Sequence, residues 1–213
     1  MDRRDDLADD LKALYDNLRR LDVSLSEFTR DTFGRVNPFI ENVVEWHEKA
    51  QRCFGDNSIT VYDSATVIGD VAVGPHTWIG PFCILDGSGG LAIGSHCSVS
   101  SGVMVFTHDT VRWSLSGGRE PYDHAPTSIG DDCFIGTQTV ILKGTHIGNA
   151  CLIAANSLVN RDIPDNSIAA GSPARIIGEV LRDGDRVVLN YFSRSEPRDA
   201  RIAPTTKDTS TSS

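Results

Sequence analysis

A branched aliphatic residue returns at every sixth position from Ile129 to Val159, through Ile135, Ile141, Ile147 and Ile153. The residue after each is mostly tiny (Gly130, Gly136, Gly148, Ala154), with Leu142 and Asn160 as exceptions. The fourth after each is small or slim: Cys133, Thr139, Thr145, Cys151, Ser157. A period of six fits neither an α-helix, at about 3.6 residues per turn, nor a two-faced strand, at about 2, so a longer unit repeats and stacks on itself. Short strands broken by tight turns place the aliphatic residue inside each time, and neighbouring coils share one core and one ladder of backbone hydrogen bonds. The pattern predicts a β-helix.

The same register holds upstream at Val61, Val67, Val73 and Ile79, jumps at Leu85-Asp86-Gly87-Ser88-Gly89-Gly90, resumes at Ile93, Val99 and Val105, and breaks again from about Phe106 to Ser128. Both breaks read as insertions, the second being the long one. Four of the five cysteines (Cys83, Cys97, Cys133, Cys151) fall in the same slot, fourth after the repeat aliphatic, where a small buried side chain is wanted. That spacing argues for packing rather than a disulfide or zinc framework.

At 213 residues and 39% hydrophobic content the chain can bury a sizeable core. A formal net charge of -9 argues against nucleic acid or an anionic membrane as the general partner. No apolar run approaches the roughly 18 residues that span a bilayer, and the first six residues lack a signal-peptide core, so the sequence reads as cytoplasmic.

Leu7, Leu11, Leu14, Leu18 and Leu21 form a helical stripe over residues 6–21, with acids early and bases late. A second helix is expected from Ser24 or Ser26, and a third after Pro38. Residues 1–55 thus read as a helical cap over the open end of the coil, with the stripe packed into it. Residues 56–178 read as the coil, interrupted by the long loop at 106–128. Residues 179–213 form a C-terminal extension in which 186–192 adds a strand and a disordered tail follows from about Ser193.

The hexads, together with Asp162-Ile163-Pro164 and Ala170-Gly171-Ser172-Pro173-Ala174-Arg175, resemble the hexapeptide-repeat acyltransferases, which include galactoside, maltose, serine and xenobiotic acetyltransferases. The resemblance covers roughly residues 60–178. It implies a mainly β, left-handed parallel β-helix, assembled as a homotrimer with active sites between subunits and coenzyme A lying along the coils. It also implies acetyl-CoA as acyl donor, a hydroxyl or amine of a sugar, antibiotic or other small molecule as acceptor, and no metal.

The long insertion holds the polar material. Its first histidine, His108, follows the last regular hexad, where the family keeps a catalytic histidine. An imidazole suits a base that removes an acceptor proton near neutral pH. Asp109 is adjacent, but neighbouring side chains on an extended backbone diverge, so it is not assigned as the orienting carboxylate. His124 is the rival base, and Arg112, Trp113, Tyr122 and His124 are candidate acceptor contacts. The resemblance further implies that Phe134, Gly136 and Thr137 contact the cofactor, the Thr137 amide facing the thioester. It adds Ala155 at the pantetheine arm and Asn160, Arg161 and Arg175 at the cofactor's polar groups. Lys143 reads as a solvated surface base, His76, His96 and His146 as turn residues, and His47 as part of the cap.

Two other readings compete. The γ-type carbonic anhydrases share the β-helix and bind zinc through three histidines, but no His-x4-His pair stands beside this loop. A non-catalytic scaffold predicts that His108 is replaceable. A nucleotidyltransferase is disfavoured, because no Gly-rich βαβ unit precedes the coil.

Overall fold

The computed structural model describes residues 4–184 and 186–192. The tail expected from Ser193 lies outside the described residues.

The coil is a three-sided stack of parallel strands. The first side stacks Thr60–Val61, Trp78–Ile79, Ser98–Val99, Phe134–Ile135, Leu152–Ile153 and Ser167–Ala170. Its inward residues follow one another in register, Val61, Ile79, Val99, Ile135, Ile153 and Ala169. The second side stacks Met104–Val105, Val140–Ile141 and Leu158–Val159, and the third stacks Thr127–Ile129 and His146–Ile147. Two longer strands, Thr66–Val73 and Ile84–Ile93, run through both the second and third sides at the start of the stack. The hexad aliphatics from Ile79 to Val159 are all buried, while Val67 and Val73 at the thin end are half-buried.

The four repeat-slot cysteines are free, buried thiols. Each donates to a carbonyl of a neighbouring coil at 3.1 Å: Cys83 to Ser100, Cys97 to Gly130, Cys133 to Gly148 and Cys151 to Pro164. Coils approach so closely that a Cβ on Gly136 would stand 2.4 Å from the Ala155 nitrogen. Only glycine fits there.

A stack of coils leaves backbone groups unpaired at its first turn. Helices α2 (Phe39–Val43) and α3 (Trp46–Phe54) satisfy them. Buried Glu41 accepts from the amides of Asp63 (2.9 Å) and Ser64 (2.8 Å), and Lys49 donates to the carbonyls of Asp63 and Ala65. Ala50 enters the core. At the far end an antiparallel hairpin, Arg175–Asp183 with Arg186–Tyr191, adds to the first side.

Three expectations for the helices need correction. The region before Pro38 holds one unbroken helix, α1 (Asp9–Phe33), rather than two, since residues 22–26 contain no glycine or proline to stop it. The helix after Pro38 is divided, because Val44 and Glu45 are extended. The leucine stripe does not pack into the cap: Leu11, Leu14, Leu18 and Leu21 are 43–52% exposed, and α1 buries Thr29 against α2. No helix among the described residues is long and apolar enough to cross a membrane.

Candidate functional site

The two breaks in the hexad register meet in space. Leu85 pairs with Val105 across one coil, so the residues following Leu85 lie directly against those that open the long loop. The first break is a bulge rather than a loop. Between Gly69↔Gly87 and Val71↔Leu91 the longer strand takes in two extra residues, and Gly87 lies so close to Asp70 that a Cβ would stand 2.1 Å from its carbonyl oxygen.

Beside the bulge the Asp86 side chain is buried, 1% exposed. Thr107, fully buried, locks the two segments together. Its hydroxyl donates to the Asp86 carbonyl at 2.8 Å and accepts from the Gly89 amide at 2.7 Å, while its amide donates to Asp86 Oδ2 at 3.2 Å. The next residue is His108, whose Nδ1 lies 2.6 Å from the same Oδ2. Burial pushes the Asp86 carboxyl up, but hydrogen bonds from Ser88, His108 and the Thr107 amide outweigh it and hold the pKa at about 2. Asp86 is therefore an acceptor only, and the His108 Nδ1 that faces it carries the proton and donates it to Oδ2. The basic lone pair is left on Nε2.

Across the loop, His108–Asp109 pairs antiparallel with Asp123–His124. The rings of His108 and His124 stack at 5.7 Å, His108 and Tyr122 at 6.4 Å, and Trp113 meets Tyr122 edge-on at 5.6 Å. Trp113 belongs to a short helix, α4 (Val111–Leu115). Arg112 is exposed and lies 3.7 Å from Glu120. Together these rings form a partly exposed aromatic wall beside His108.

Lys143 is not the solvated base that the sequence suggests. It sits at the same corner one coil further on, bonded to both Asp109 (3.2 Å) and Asp123. Hydrogen bonding to Asp123, with Asp109 adding to it, raises its pKa. Its ammonium ties the two strands of the loop base to the coil. Asp109 thus serves the loop, and the orienting carboxylate of His108 is Asp86. The signal for Asp86 lay in the position itself, an acid in the place that follows a repeat aliphatic and is otherwise mostly tiny.

The remaining nominated residues are spread over two corners, the face of the first side and the final hairpin. Asn160 and Arg161 are exposed and lie one coil beyond Leu142 and Lys143, on the His108 corner. Phe134 faces outward from the first side. Thr137 and Ala155 are exposed at the corner between the first and second sides, one coil apart. The Thr137 carbonyl accepts from Asn156 at 2.9 Å. Gly136 is buried by the coil contact and offers no surface. Arg175, exposed at the start of the final hairpin, donates to the Ala174 carbonyl. The Thr137 column and His108 therefore occupy opposite edges of the second side.

The other histidines lie elsewhere. His76 and His96 occupy left-handed turn positions, with ring centroids 5.0 Å apart. His146 is a strand residue facing out from the third side, not a turn residue, and its Nδ1 is 2.9 Å from Ser128 Oγ. His47 Nδ1 bonds the Ile59 carbonyl.

The hexapeptide repeat of succinyl-transferase matches residues 126–161. The match lies within the parallel β-helix and takes in its most regular hexads. The coil is similar to curated and solved proteins. A 2,3,4,5-tetrahydropyridine-2,6-dicarboxylate N-acetyltransferase of Staphylococcus aureus is 40% identical over 63 residues, 30% of this chain and 26% of that protein. The chain thus spans about a quarter of the length of the curated relatives it matches. A hexapeptide-repeat acetyltransferase of Vibrio cholerae, solved with acetyl coenzyme A, is 25% identical with a TM-score of 0.54, over 83% of this chain and 92% of that one. An N-acyltransferase of Bacillus cereus, solved with dTDP and 3-hydroxybutyryl-CoA, shares the fold at 20% identity and TM-score 0.52, over 57% of this chain and 69% of that one.

Proposed function

We propose that this hexapeptide-repeat protein transfers an acyl group from acetyl-CoA to a hydroxyl or amine of a small acceptor, a sugar by preference, with His108 as general base. The observation that carries the reading is the buried Asp86 carboxylate bonded to His108 Nδ1, beside an aromatic wall at the mouth of a long loop. The carboxylate fixes the tautomer and stabilises the imidazolium that forms when Nε2 takes the acceptor proton. The acceptor oxygen or nitrogen then attacks the thioester carbonyl, and the thiol of coenzyme A leaves with the proton returned by His108. The stacked rings of His108, His124 and Tyr122, with Trp113, offer flat faces to the C–H surface of a sugar ring, while Arg112 and Glu120 stand at the rim.

The polar surface of the coil fits such a donor. The exposed turn at Thr137 stands one coil from Ala155, in line for the carbonyls of an extended arm, and Arg161 and Arg175 supply cations for phosphates. Because Thr137 and His108 lie at opposite edges of one side, a complete site takes the Thr137 column from one copy and the His108 corner from its neighbour. This supports assembly as a cyclic oligomer, and the resemblance to the hexapeptide-repeat acyltransferases makes that oligomer a trimer.

The test is coenzyme A binding by calorimetry, with thiol release from acetyl-CoA across a panel of sugars, amino sugars and hydroxylated antibiotics. Micromolar binding, with acceptor-dependent release lost in His108→Ala, is expected. Absence of binding at millimolar coenzyme A would end this reading.

A further inference from the structure

Helix α1 carries a feature that acyl transfer does not use. From Leu11 the large apolar residues follow at alternating steps of three and four: Leu11, Leu14, Leu18, Leu21, Leu25 and Phe28. That is the 3.5-residue period of a helix that lies along another helix, narrower than the stripe of a helix lying on a globular core. Leu7 continues the spacing just before the helix begins.

Among the described residues most of this seam is left uncovered. Leu11, Leu14, Leu18 and Leu21 are 43–52% exposed and Phe28 is 60% exposed, while the contact with α2 is made near the C-terminal end, where Thr29 bonds Asn42. We infer that α1 zips along α1 of another copy of this chain, its leucine seam facing the same seam.

The occupant follows from charge and from the flanking positions. The helix carries six acidic residues (Asp9, Asp10, Asp16, Asp22, Glu27, Asp31) against four basic ones (Lys12, Arg19, Arg20, Arg30), which disfavours an anionic lipid surface. The residues that flank the seam in its first two heptads are Asp10, Tyr15, Asn17 and Asp22. Laid side by side in register, two copies set Asp10 against Tyr15 and Asn17 against Asp22. Each pair can share a hydrogen bond and neither brings like charges together.

Size decides what the contact can do. A single narrow seam is small beside the roughly 800 Å² per partner of a stable standard interface. The zipper therefore acts together with contacts between coils, so a change in overall mass is a poor readout.

Cross-linking reads the seam directly. In the full-length chain with exposed Cys53 replaced (Cys53→Ser), a single cysteine is placed on the seam (Leu18→Cys or Leu21→Cys) or on the outer face (Ala13→Cys). The coil cysteines are buried and stay silent. Under mild oxidation at micromolar protein, the seam variants are expected to give disulfide-linked pairs at least tenfold faster than Ala13→Cys. Linkage of each seam variant alone marks parallel helices, and linkage only on mixing the two marks antiparallel ones. Both support the inference. Equal rates at all three positions, or no seam linkage in any combination, would overturn it and leave the seam to a foreign partner or a membrane. Circular dichroism of each variant verifies that α1 remains folded.

Discussion

Asp86 Oδ2 stands 2.6 Å from His108 Nδ1, although the two residues come from successive coils and from different breaks in the repeat. The same oxygen accepts the Thr107 amide, so the carboxylate is fixed before it meets the imidazole. Replacing Asp86 by Asn keeps the shape and removes the charge that holds the ring. On the proposed mechanism, kcat for Asp86→Asn falls by about 10²–10⁴, with KM for acetyl-CoA changed by less than about threefold. Steady-state kinetics on the purified variant checks this, and an unchanged kcat would remove Asp86 from the mechanism.

The depressed pKa of Asp86, about 2 against an ordinary aspartate near 3.9, also ties it to stability. A carboxyl held below its unfolded value stabilises the fold wherever the unfolded chain is ionised. Its contribution, of order 2 kcal/mol, is thus present above about pH 4 and disappears as pH falls toward 2. Denaturant unfolding of wild type and Asp86→Asn between pH 2 and 6 should converge at the acid end and separate above pH 4. Parallel curves would show that the hydrogen bonds around Asp86 do not depend on its charge.

Lys143 joins Asp109 and Asp123, the two acids at the base of the loop. In Lys143→Met the acids repel across paired strands and the hairpin that presents His108 and His124 loosens. About a tenfold loss in kcat/KM is expected, with faster proteolytic nicking within 111–120, and Lys143→Arg should recover most of both. Unchanged nicking in Lys143→Met would show that the backbone pairing holds the hairpin unaided.

These relationships show what the sequence could and could not display. The β-helix was legible because each hexad repeats one physical requirement, an aliphatic inside and a small residue at the bend, so Ile79 through Val159 announce themselves by position. The cysteine slot was legible for the same reason. Asp86 was not, because its partner is found by counting around the coil from Leu85 to Val105 rather than along the chain. Lys143 looks solvated in the sequence on the same ground, since its acids come from a loop inserted one coil earlier. The leucine stripe stands out in the sequence, but periodicity reports only that a face is apolar, not what covers it. The break at Val44 had no glycine or proline to mark it.

The first coil offers the last prediction. Glu41 is 6% exposed and its two carboxylate oxygens accept the amides of Asp63 and Ser64, which have no earlier coil to bond. Glu41→Ala leaves both donors without that acceptor, at a cost of about 1–3 kcal/mol for each that water fails to reach. Glu41→Gln keeps one carbonyl oxygen and turns the other group into a donor facing a donor, so it should recover only part of the loss. The unfolding midpoint in urea, with the slope unchanged, measures both variants. Losses below about 0.5 kcal/mol in Glu41→Ala would mean that solvent replaces the carboxylate and that the coil's first turn stays closed through Lys49 and Ala50 instead.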